Sequence, residues 1–218
     1  MGDVGPTVAG AGPTTAERRR IYAASSQGDR LWQGEILSDL PQTRLSLESL
    51  PATKTNVGES GDKQPIKVEY EEHPLIVVLS QDCDLEKDYK RRQSGGRPFL
   101  LNVLLCDVHE AEALRQKLST EESTGSKEWR VIKENGTPRF QFLSKVLLDQ
   151  DASGLGLPSL AVDFRSYFTV RTDELYERLK LKLSIKRCKL QTPYAEHLGH
   201  RFHNFQSRIP LTVEHPTA

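Results

Sequence analysis

The chain lacks an excess of charge of either sign. Lys plus Arg and Asp plus Glu each number 30 in 218 residues, so the formal net charge is zero. No global field draws such a protein onto nucleic acid or anionic lipid, and any binding of that kind has to come from local patches. Long apolar runs are lacking too. Stretches such as Leu75 to Leu79 and Phe99 to Leu101 fall far below the ~20 residues that span a bilayer, so no membrane partner is expected. Cysteine is scarce: Cys83, Cys106 and Cys188 are odd in number, widely spaced and form no Cys-x-x-Cys pair. That pattern speaks against a disulfide framework or a zinc ribbon and for free thiols in a reducing compartment. The chain does not open with a basic segment followed by an apolar one, so no secretory signal is expected and the cytoplasm is the expected location.

What is present suits a polar globular protein, with 36% apolar and 28% charged residues. Residues 1–16 are Gly, Pro, Thr, Ala and Val with hardly any charge and read as a disordered tail; residues 17–218 read as one globular domain. Leu31 to Leu40 reads as a first strand anchored by Trp32, and the Ser-, Thr- and Pro-rich residues 41–64 as a flexible insertion. Pro74 to Ser80 is a β-branched run, expected to be a strand buried on both faces. A polar connection then leads to a second such strand, Phe99 to Cys106. Asp107 and Glu110, three apart, predict a capping box that opens a helix through Leu114 and Leu118. Leu160 to Val170 reads as a strand with Val162, Phe164, Phe168 and Val170 on one face. Thr172 is expected to cap a short helix. Leu179, Leu181, Leu183 and Ile185 alternate with Lys180, Lys182, Ser184 and Lys186, which predicts a strand with one basic face. Tyr194, Leu198, Phe202, Phe205 and Ile209 fall within an ~80° arc of a helix, so a C-terminal amphipathic helix is expected to lie on the barrel or sheet. Trp32, Ile76, Val78, Leu79, Leu101, Val103, Phe164 and Phe168 are expected to pack with Leu198 and Phe202 as the main core.

Several groups could carry chemistry. The segment Gln81, Asp82, Cys83, Asp84 leaves the most buried strand, where polar groups are well supported and can face a ligand. It reads either as a solvated turn or as a carboxylate site for a cation. It is not a calcium loop, because Lys87 and Gln93 stand where that loop needs Gly and Glu. Neighbouring carboxylates would raise a thiol's pKa rather than lower it, so Cys83 reads as a buried structural thiol. His197, His200 and His203 spread over ~120° of the last helix and do not converge on one ion. No metal and no cofactor is therefore expected. Two basic clusters stand out, one of Lys87, Lys90, Arg91, Arg92 and Arg97 and one of Arg178, Lys180, Lys182, Lys186, Arg187 and Lys189. Side by side they would form a groove for a phosphate backbone; apart, they are solvated edges.

The order of elements resembles the PemK/MazF family of mRNA interferases. The resemblance rests on Trp32, Gly34, Glu35, Ile36 and Leu37; on His73, Pro74, Ile76, Val77, Val78, Leu79 and Ser80; and on Val162, Asp163, Phe164, Arg165 and Thr169, followed by the terminal helix. It implies an α+β protein: a small SH3-like β-barrel, or a strongly curved antiparallel sheet, with insertion loops and the helix packed on it. Where the family has an Arg before the Pro this chain has His73, and Cys106 stands at the family's Thr or Ser. The reading that follows is a non-enzymatic interaction module with a protein partner, serving a bacterial stress or defence system. The alternative is a metal-independent endoribonuclease on single-stranded RNA, with His73 as acid or base and Arg91, Arg92, Lys180 and Lys182 on the backbone. No motif fixes the oligomeric state, and a homodimer is among those open.

Overall fold

The computed structural model describes residues 20–28, 30–46 and 67–207. The expected disordered tail lies outside them, as does most of the expected insertion. Seven strands make one antiparallel sheet: β1 (Tyr22–Ala24), β2 (Glu35–Leu45), β3 (Val68–Val78), β4 (Asn102–Glu110), β5 (Phe140–Leu143), β6 (Leu160–Arg171) and β7 (Ile185–Leu190), in spatial order β1-β7-β2-β3-β4-β6-β5. The protein is α+β as expected, but the sheet is open, with β1 and β5 at its edges, and it is not the SH3-like barrel. The helices are α1 (Asp82–Gln93), α2 (Ala111–Glu121), α3 (Ser126–Lys133), α4 (Thr172–Lys180) and α5 (Tyr194–Gln206). No helix among the described residues is long and apolar enough to cross a membrane.

The central strand explains the layering. Leu75, Ile76, Val77 and Val78 are all buried, and alternation sends successive side chains to opposite faces. Leu75, Val77 and Leu79 join Phe164, Leu198 and Phe202 beneath α5. Ile76 and Val78 join Leu31, Leu37, Leu85, Val103, Leu175 and Leu179 beneath α1 and α4. A third cluster packs α2 and α3 through Leu114, Trp129 and Ile132 against Phe140 and Ala161. The residues expected in a single core thus divide between the two faces of the sheet. Leu101, expected inside, is 63% exposed, and Trp32 is only half-buried.

The remaining differences have local causes. A register shift in the β4–β6 ladder sets Cys106 opposite Tyr167 but Val108 opposite Val162. Five residue steps of β6 thus run against two of β4, an odd difference that swaps its faces: Phe164 lies under α5, whereas Phe168 and Val170 lie under α4. Asp107 and Glu110 form no capping box, because both belong to β4, which runs to the start of α2. Thr172 is the first residue of α4 rather than its cap. β2 continues through Pro41 to Leu45, so the insertion begins later than expected. The basic-faced strand does not form. Lys180 closes α4 and Lys182 sits in the following turn at φ 56°.

Edge strand β5 is shielded by one side chain. Asn135, just past α3, accepts from the Phe142 N–H (2.5 Å) and donates to the Phe142 carbonyl (3.2 Å), occupying positions a further strand would use. Replacing Asn135 by Ala is expected to cost about 1–2 kcal/mol and to raise aggregation, read from a urea titration and from light scattering on warming.

Candidate functional site

The segment singled out after the central strand is a helix start, not a loop. Leu79 N–H donates to the Leu104 carbonyl (2.8 Å), and the Leu104 N–H donates to Ser80 Oγ (2.8 Å), so β4 fixes where the chain leaves the sheet. Gln81 then holds an extended conformation and α1 begins at Asp82. Acids in its first turn and bases in its last complement the helix dipole, and Glu86–Lys90 and Asp88–Arg92 are i,i+4 ion pairs. Asp82 is clamped from outside: Arg30 Nη2 donates to Oδ2 (2.9 Å) and the Gln33 N–H to Oδ1 (3.0 Å).

This start faces α5 across a cleft of about 660 Å³. Leu79, Leu100, Leu104 and Phe202 supply its apolar lining, and Gln33, Gln81, Asp82, Cys83, Asp84, Glu196, His200, His203 and Gln206 its polar lining. A Cβ at Gly199 would stand 2.4 Å from Gln33 Nε2, so the end of the Gln33 side chain lies directly against the helix backbone here. The structure thus brings Gln81, Asp82, Cys83 and Asp84 together with two of the three helix histidines; His197 is exposed and does not line the cleft. No group of three or more His, Cys, Asp or Glu among the described residues is arranged to hold a metal ion. Cys83 is exposed, contrary to the expected buried thiol, because Leu85 and Asp88 occupy the inward side of α1. Cys106 and Cys188 are the buried thiols, and burial pushes Cys188 up to about 12.

His73 is elsewhere. It lies on β3 opposite Leu40, 3% exposed, beyond the last β3–β4 pair, Ile76 with Asp107. Its Nδ1 is 2.6 Å from Asp107 Oδ1 and its Nε2 is 3.4 Å from Gln42 Oε1. Phe168 stacks on the ring at 4.1 Å. A pocket of about 290 Å³ lined by Asp39, Leu40, Pro41, Glu72 and Leu183 adjoins it.

The basic residues are dispersed. Arg92 donates to Asp88 and Asp173 (2.5 Å each), joining α1 to α4, and Lys180 lies 3.5 Å from Glu177. Arg92 and Lys180 do share a pocket with Tyr89 and Tyr176. Arg91 lies on a different side of α1, over the Phe99 ring at 5.2 Å, and Lys182 does not line that pocket. Lys186, read as part of a basic face, is buried against Glu35. The signal that sequence reading missed is the aromatic Phe99, which lies beside both Arg91 and Lys87, one turn earlier on α1. No known family model matches the chain, and no curated protein or solved structure matches it either.

Proposed function

We propose that this chain is a non-enzymatic interaction module that receives a segment of a protein partner in the cleft between the start of α1 and α5. The cleft carries the reading: an apolar floor suits an anchoring side chain, and Asp84 and Glu196 on its rim suit a basic neighbour of that anchor. His73, in contrast, is buried against Phe168, with Asp107 on one ring nitrogen and Gln42 near the other. Within the PemK/MazF resemblance, such a module serves a bacterial stress or defence system. The endoribonuclease reading draws on the His73–Asp107 hydrogen bond beside a pocket.

A photo-crosslinking residue at Gln206 is expected to trap one partner, while the same residue at Lys133, on α3, traps none. That partner, once purified, is expected to bind the Asp84→Lys, Glu196→Lys protein at least about tenfold more weakly, about 1.4 kcal/mol. Equal binding by both proteins would refute the cleft. Labelled RNA incubated with the protein, with and without chelator, is expected to stay intact. Cleavage that His73→Ala abolishes would replace the module with the metal-independent nuclease.

A further inference from the structure

One face of α1 presents Cys83, Lys87, Lys90, Arg91 and Ser94 to a groove of about 410 Å³, with Glu86 at its side. These positions recur at three- and four-residue intervals and so form a stripe along the helix. Glu86 is matched by Lys90 at 2.6 Å. Lys87 and Arg91 have no carboxylate partner among the described residues. Both lie over one aromatic ring instead: Lys87 Nζ is 4.0 Å and Arg91 Cζ 5.2 Å from the centroid of Phe99.

That arrangement is built rather than incidental. Asp88, 1% exposed on the inner side of α1, accepts from the Phe99 N–H (2.8 Å) and the Leu100 N–H (2.9 Å) through a single oxygen. Its other oxygen takes Arg92 Nε at 2.5 Å. The Gly96 N–H and Ser94 Oγ both donate to the Arg91 carbonyl (2.9 Å each), folding the chain back after the helix. One buried carboxylate and a tight turn therefore fix Phe99 under two cations one helical turn apart, with Arg97 exposed on the same turn.

We infer that this face of α1 is a contact for single-stranded nucleic acid. Lys87 and Arg91 would take successive phosphates, and Phe99 would offer a π-face to a base. Unmatched cations bordering an aromatic are what sequence-tolerant single-strand binding uses. Duplex binding would call for a longer basic track than these two residues. The proposal does not rest on the cleft reading, because the cleft is tested by partner capture and this face by oligonucleotide binding.

The test is fluorescence anisotropy of the full chain with labelled single strands of about 16 nucleotides, RNA and DNA in separate arms, across a salt series. Lys87→Glu with Arg91→Glu is expected to weaken binding at least about tenfold. It should also lower the slope of log affinity against log salt by about 1.4, two phosphates at about 0.7 each. Phe99→Leu, which keeps the packing but removes the π-face, is expected to weaken binding about fivefold with the salt slope unchanged. Lys117→Glu, on the exposed side of α2, should bind like the wild type. Failure of the wild type to bind at low salt would overturn the proposal, as would an unchanged salt slope in the double variant. Displacement of the oligonucleotide by polyglutamate of equal charge would overturn it in favour of an acidic protein partner.

Discussion

Replacing Phe202 by Ala is expected to lower the free energy of unfolding by about 3–5 kcal/mol. The ring is 5% exposed and stands edge-on to both Phe164 and Tyr167 at centroid distances of 5.5 Å. Phe164, wholly buried on β6, also touches Phe205 of the same helix as Phe202. Removal of Phe202 therefore leaves a cavity between α5 and β6 that neither rigid neighbour can fill. The loss is transfer free energy plus the contacts of the cavity walls. Asn204→Ala, on the exposed side of α5, serves as the control and should stay within about 0.5 kcal/mol of the wild type. Urea titration followed by circular dichroism gives both values. An unchanged midpoint for Phe202→Ala would mean that α5 contributes nothing to the core, and the cleft it walls would lose its support.

How much of this was legible depends on which force organises each element. The run from Leu75 to Val78 announces a doubly covered strand because every residue in it is apolar, and α5 announces itself by apolar spacing. Helix α1 has few apolar residues, and its signals are ionic: acids first, bases last, and the Glu86–Lys90 and Asp88–Arg92 pairs. Those signals were present between Asp82 and Gln93 but do not register as hydrophobic periodicity. Alternation misled between Leu179 and Ile185. Leu175 and Leu179 are buried one helical turn apart, whereas Leu181 and Leu183 are 58% and 56% exposed. The faces of β6 were not legible, because a bulge is set by its partner strand and leaves no mark in composition. The candidate site was half legible. Gln81 to Asp84 and the histidines of α5 each attract notice by residue type, but they meet only because α5 crosses the exit of β3. Asp88 shows the same limit, since its service to Phe99 and Leu100 spans a turn whose geometry no local pattern encodes.

Lys186→Met is expected to destabilise the protein by about 3–5 kcal/mol at neutral pH, and pairing it with Glu35→Leu is expected to restore most of that loss. Lys186 and Glu35 are both wholly buried, with Nζ 3.4 Å from Oε2, and Nζ also donates to the Arg30 carbonyl (2.7 Å). A bulge makes this possible: Ile36 pairs with Cys188 but Leu37 with Lys186, which turns Lys186 toward the α1 and α4 side. Removing one ion leaves the other uncompensated, whereas removing both leaves an apolar interior. The pH dependence separates this account from a simple packing defect. Burial raises the Glu35 carboxyl above its usual range, and Lys186 is the strongest opposing influence. The folded state therefore keeps the Glu35 proton to higher pH than the unfolded chain does. Stability falls as pH rises from the ordinary Glu value, ~4.3, to the raised one. Without Lys186 the folded value rises further and the window widens, so Lys186→Met should regain stability on acidification from neutral pH toward that ordinary value, relative to the wild type. Urea midpoints of wild type, single and double variants at two pH values test this. A deficit in Lys186→Met that is equal at both, or a double variant no more stable than the single, would show that Glu35 and Lys186 do not act as a charge pair.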